Sequence, residues 1–166
     1  MSDAVQYLEN FGREDLERPP DLQWLAKELP GPLDVTLRVD DTGHWFISWI
    51  SADNDLNNPA MRVIEIVREN GKDHLTNWGP ITKSKERKAL DTAHTLHLGT
   101  LTLKQREDLE AIAGEHPVQV PDGVYDCRTW IEQVVREGVK KDILNEQIAD
   151  KVLDEAYAIL PPSSAS

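Results

Sequence analysis

The chain has 166 residues, 39% of them hydrophobic and five of them tryptophan, which suits one buried core rather than two domains. Its formal net charge of −12 repels phosphate backbones and anionic headgroups, so nucleic acid is not an expected partner. A lone cysteine rules out an internal disulfide, a Cys-rich zinc site and a CxxC redox pair. The first residues lack the basic and apolar parts of a signal peptide, and no run nears the roughly 18 apolar residues of a membrane span. A soluble cytoplasmic protein without cofactor or metal is expected.

Asp3 and Gln6 have capping-box spacing, and Val5, Leu8 and Phe11 form a stripe that predicts a short helix ending before Gly12. In "DLQWLAKEL", Leu22, Leu25 and Leu29 follow the cap residue Asp21 at helical spacing, and "PGP" ends a second predicted helix. From Leu33 the period changes to two. Leu33, Val35, Leu37 and Val39 alternate with polar residues as in a half-buried strand, and "DDTG" is a turn. "HWFISWI" has large residues on both faces and predicts a central strand. "SADNDLNNPA" is a loop without the glycine and terminal glutamate of an EF-hand, so a calcium site is not expected. "MRVIEIV" is the third strand, and the three are expected to pair in sequence.

Residues 72 to 92 are polar and poorly periodic and predict a solvated loop, with the basic run "KSKERK" as its alternative dock for an acidic partner. "AHTLHLGTL" predicts a strand, so His94 and His97, whose i, i+3 spacing could ligate a metal from a helix, are not an expected zinc site, and Thr102 with Gln105 caps a helix that ends at Gly114. "HPVQV" is a further candidate strand, and two helices follow, from 127 to about 138 and from 143 to about 159. The expected fold class is α+β, a small antiparallel sheet packed on helices. The expected organisation is a helical N-terminal extension over 1–32, a domain over 33–160 and a flexible tail over 161–166. No GxGxxG or P-loop supports a nucleotide site.

Chemistry concentrates on "YDCRTWIEQVV". Asp126 can cap, Cys127 falls in the first turn, and Trp130, Ile131, Val134 and Val135 continue its stripe. A helix N-terminus stabilises a thiolate and offers N–H groups to an oxyanion, whereas the Asp126 charge opposes the thiolate. The alternative is a small buried residue that happens to carry sulfur. Of the five histidines, only His44 joins a turn-to-strand boundary with tryptophans close behind it, a rigid support for an imidazole.

"GHWFISWI" followed about eighty residues later by "DCRTWIEQVV" resembles a family of small, largely uncharacterised fungal proteins with an HW strand and a later (N/D)CxxW helix. "LHLGTLTLKQREDLEAIAGEHPV" fits the segment between, and the resemblance spans roughly residues 33 to 140. Those motifs are similar to the circularly permuted papain-like fold of lecithin:retinol acyltransferase relatives and PPPDE-type desumoylating peptidases. The resemblance implies Cys127 as nucleophile, His44 as general base and the Cys127 N–H in an oxyanion hole.

A third polar group should orient the imidazole. Glu65, on the Val63 and Val67 face, is the first candidate and His97 the second. Trp45, Trp49 and Trp130 read as core, with a substrate-lining slot as their alternative, and Asp126 flanks the same slot. Two functions remain open at this level. One is a cysteine hydrolase or acyltransferase acting on an amide, ester or thioester of a small molecule or peptide. The other is a non-catalytic binding module, or a small-metabolite cyclase or isomerase, on the same scaffold.

Overall fold

Alternation makes the first strand, β1 (Leu33–Val39), whose Val35, Leu37 and Val39 are fully buried in the computed structural model, which describes residues 4–24, 28–52 and 59–159. The chain then reverses through a turn stitched by Asp40 into β2 (Trp45–Ala52), and returns as β3 (Ala60–Ile64). A two-strand ribbon, β4 (Val67–Arg68) with β5 (Leu75–Thr76), stands beside the sheet. Next come β6 (Ile81–Ser84), α1 (Arg87–Thr92), β7 (His94–Leu101) and three long helices: α2 (Leu103–Glu115), α3 (Cys127–Lys140) and α4 (Glu146–Ala158). The sheet order is β6-β3-β2-β1-β7, antiparallel throughout. This is an α+β fold, and β1, β2 and β3 pair in sequence as their patterns predict. No described helix is long and apolar enough to cross a membrane.

One face of the sheet carries the main core. Val35, Leu37, Val39, Ile47, Ile64 and Leu98 meet Leu109 of α2, Trp130, Ile131, Val134 and Val135 of α3, and Val152 and Leu153 of α4. A smaller cluster of Phe46, Met61, Val63 and Leu90 fills the other face under α1. With both faces covered, β2 is the central strand that its double-sided pattern predicts. The helix caps also follow the sequence. Thr102 and Gln105 make both halves of a capping box, Asp126 accepts from the Arg128 and Thr129 N–H groups, and Asn145 accepts from that of Ile148.

The N-terminal extension departs from expectation. Residues 6–8 are extended: Leu8 N donates to Val118 O at 2.8 Å and Val120 N to Gln6 O at 2.9 Å, so the predicted strand at 116–120 is an isolated bridge to this segment. A tertiary partner for the backbone overrides the helical periodicity of Val5, Leu8 and Phe11. The short 3-10 turn Glu9–Gly12 follows, with Asn10, Phe11 and Gly12 all at positive φ. Gly12 is sterically required, because a Cβ there would lie 2.7 Å from Leu75 O. Of the second predicted helix, the described residues include a 3-10 turn, Leu22–Trp24, against β6.

Asp3 of the proposed capping box, residues 25–27 of that second helix, residues 53–58 of the loop weighed for calcium, and the tail 161–166 lie outside the described residues. The segment read as a solvated loop, 72–92, instead holds β5, β6 and α1. Its strand β6 lacks alternation because both sides are covered: Ile81 and Thr82 are both buried, and Thr82 N donates to the Asp21 carboxylate at 3.0 Å.

The extension is fastened down by charge. Arg106 of α2 is fully buried and donates to Glu28 Oε1 and to the carbonyls of Leu29, Gly31 and Leu101. Glu28 Oε1 also accepts from the Trp49 indole at 2.9 Å.

Candidate active site

The turn between β1 and β2 sets the imidazole. Asp40 Oδ1 accepts from Thr42 N at 2.9 Å, Thr42 Oγ1 at 2.6 Å and His44 N at 3.0 Å, while Asp40 N donates to His44 O at 3.0 Å. His44 is thereby held one residue before β2, with its ring stacked 6.0 Å from that of Phe46. On the neighbouring strand the ladder ends at Ile64, opposite Ile47, and Glu65 comes next. The in–out alternation outlasts the ladder: Ile64 and Ile66 enter the core, while Val63, Glu65 and Val67 line one cavity on the other side.

His44 Nε2 and Glu65 Oε2 are 2.8 Å apart, and the second carboxylate oxygen, Oε1, accepts from Lys83 Nζ of β6. The Cys127 thiol, at the first residue of α3, lines the same cleft as this imidazole and is near enough to raise its pKa. With Nε2 engaged by Glu65, Nδ1 is the ring nitrogen left for sulfur. Sulfur and imidazole open into a cleft of about 460 Å³, whose lining includes Thr42, Ile66, Arg68, Leu75, Tyr125 and Asp126.

Burial alone would disfavour the imidazolium. Hydrogen bonds to Cys127 and Glu65, and their negative charges, outweigh it and raise the His44 pKa to about 10. Burial likewise pushes the Glu65 carboxyl up, but the His44 hydrogen bond and the Lys83 charge hold it down at about 2. At neutral pH the pair is therefore imidazolium and carboxylate.

The start of α3 supplies the other half of the site. Asp126 Oδ1 takes the N–H groups of Arg128 at 2.9 Å and Thr129 at 3.4 Å, and the Trp130 N–H goes to Asp126 O. The Cys127 N–H is the first-turn amide that this cap does not use. The Asp126 charge, which alone would oppose a thiolate next door, is offset by Arg128, whose Nη2 and Nε lie 2.7 and 3.0 Å from Oδ2.

No family model, no curated protein and no solved structure matches the chain.

Of the residues singled out in the sequence, Cys127, His44, Glu65 and Asp126 come together. Trp45, Trp49 and Trp130 are at most 1% exposed, belong to the main core, and do not line the cleft, which corrects their alternative reading as a substrate slot. His97 is exposed on β7 and paired in register with Thr36; Glu65, not His97, meets the imidazole. Three residues of the site were not anticipated. Lys83 lay in the presumed loop, and Arg68 follows a break in the strand pattern. Asp40 belonged to a recognised turn, and its signal was the Asp-x-Thr spacing of an Asx turn leading into His44.

Proposed function

We propose that the protein is a Cys-His thiol enzyme of hydrolase or acyltransferase type, acting on an amide, ester or thioester on a permuted papain-like scaffold. One observation carries the reading: the only cysteine shares a cleft with an imidazole whose Nε2 is held by a largely buried carboxylate. Support for the scaffold comes from the order of motifs, a histidine at a strand entrance before a cysteine at a helix start. The antiparallel sheet backed by helices is compatible with it.

In this mechanism the thiol proton resides on His44, leaving thiolate beside imidazolium at the positive end of α3. Sγ attacks the substrate carbonyl carbon, and the C=O electron pair moves to oxygen, where the Cys127 N–H receives the oxyanion. Collapse breaks the bond to the leaving group, which takes the Nδ1 proton and departs as amine, alcohol or thiol. The product is a Cys127 thioester beside neutral His44. Water, or an acceptor nucleophile, then gives its proton to Nδ1 and attacks the thioester, and collapse releases the acyl product and restores the ion pair. Glu65 stays ionised and keeps the imidazole oriented and its charge stabilised.

The experiment is acylation by p-nitrophenyl acetate, followed by mass spectrometry of proteolytic peptides. The expected result is an acetyl group on Cys127 that forms in the wild type and is strongly reduced in His44→Ala. Acetylation confined to lysines, or identical Cys127 labelling in both proteins, would argue for a cysteine that is merely packed.

A further inference from the structure

Two cavities meet at Val67 and Arg68. One is the Cys127 cleft. The other, about 260 Å³, lies on the far side of Glu65 and has apolar walls formed by Pro19, Val63, Val67, Trp78 and Ile81. A dry apolar cavity of about 150 Å³ is enough to hold benzene, so this one has room for a phenyl to indole-sized group. Its polar rim decides what else the ligand carries.

Both rim carboxylates already have hydrogen-bonding partners. Glu65 is shared by His44 and Lys83, and Glu69 Oε1 accepts from the Trp78 indole N–H at 2.9 Å. Arg68 lines both cavities, is exposed, and among the described residues has no carboxylate partner, although acidic residues outnumber basic ones by 30 to 18. A guanidinium in that position, beside an aromatic wall, is suited to a ligand carboxylate whose apolar body enters the cavity.

We infer that the cavity behind Glu65 is a binding subsite for an arylalkyl carboxylate, with the aryl group against Trp78 and the carboxylate on Arg68. Its relevance to a substrate rests on the enzymatic reading above; the binding itself does not. Within that reading, the subsite selects compounds in which the bond attacked by Cys127 adjoins an aromatic residue with an ionised carboxylate. An N-acylated aromatic amino acid and the C-terminal aromatic residue of a peptide have that chemistry.

The test uses full-length Cys127→Ala protein, titrated calorimetrically with 3-phenylpropionate and with the neutral isostere 3-phenylpropanamide. The Trp78 indole N–H signal is followed by NMR as the local reporter. The acid is expected to bind about tenfold or more tightly than the amide, as one charge-assisted contact supplies. Arg68→Gln should remove that preference while leaving amide binding unchanged. Arg68 is a safe position to alter, because its side chain is exposed and its β4–β5 pairing is made by backbone. Binding of neither probe, equal binding of both, an unmoved Trp78 signal, or a preference that survives Arg68→Gln would each overturn the assignment. Carboxylate-selective binding without Cys127 acetylation by the ester probe leaves the subsite standing and removes the enzyme; acetylation without such binding does the reverse.

Discussion

Glu65 holds His44 with one oxygen, at 2.8 Å from Nε2, and is itself held by Lys83 through the other. The three side chains come from three adjacent places in the sheet: the entrance of β2, the exit of β3 and the middle of β6. Because these strands are neighbours in a hydrogen-bonded ladder, the carboxylate is fixed from both sides before any substrate arrives. Such a supporting shell is what a thiol–imidazole pair needs to hold its geometry.

Replacing the carboxylate separates its charge from its shape. Glu65→Gln keeps the side-chain length but removes the anion that stabilises the imidazolium, so the His44 pKa should fall from about 10 toward the ordinary histidine range. An NMR titration of the His44 ring checks this directly. Cys127 alkylation at neutral pH should slow by roughly tenfold to a hundredfold, up to the lower end of typical acid–base contributions, since His44 itself remains. Lys83→Met should shift both readouts in the same direction by less, since it leaves the Glu65 contact to His44 in place.

Stability should follow the ionisation of the same pair. His44 has a folded pKa raised above 6.5, so its contribution is full below 6.5 and is lost as pH rises toward about 10. Glu65 has a folded pKa lowered below 4.5, so its contribution is full above 4.5 and is lost as pH falls toward about 2. The two windows overlap between pH 4.5 and 6.5. Urea unfolding of the wild type and of His44→Gln across this range should show the largest difference there, on the order of 3 kcal/mol, as expected when one member of a buried pair is removed. The difference should shrink on both sides.

Arg106 should matter most to folding. It is fully buried, donates to three carbonyls and pairs with Glu28 at 2.8 Å. Arg106→Met leaves those acceptors unmatched and unfastens residues 28–31 from α2, at a cost of roughly 3–5 kcal/mol in urea unfolding. Proteolysis should then cut first within residues 13–31.

Asp126 has two opposed effects that one variant separates. Asp126→Ala removes the α3 cap bonds to Arg128 N and Thr129 N and should cost about 1 kcal/mol of stability. It also removes a negative charge next to the thiol, so Cys127 alkylation should not slow. Stability by denaturant and alkylation by mass spectrometry on the same preparation give the two answers.

Much of the frame was legible because it rests on local rules. The alternation of Val35, Leu37 and Val39, the capping box of Thr102 and Gln105, and the stripe from Trp130 to Val135 each specify an element from its own residues. Cys127 and His44 stand out through motif and position, and Glu65 through a carboxylate on an apolar strand pattern. The N-terminal segment was misread because a helical stripe cannot reveal that Gln6 and Leu8 find backbone partners at Val118 and Val120, more than a hundred residues away. Strand β6 was hidden for a related reason. An edge strand covered by a distant 3-10 turn and an Asp21 carboxylate has no polar face to alternate. Lys83 and its contact to Glu65 were lost with it.

The central claim is that His44 activates Cys127. The most direct measurement is the second-order rate of iodoacetamide alkylation of Cys127 at pH 7 in wild type and His44→Ala, with the circular dichroism of both proteins matched. Removal of the imidazolium should slow alkylation by at least about tenfold. Equal rates in two folded proteins would contradict the account and leave Cys127 as a packed residue at the start of a helix.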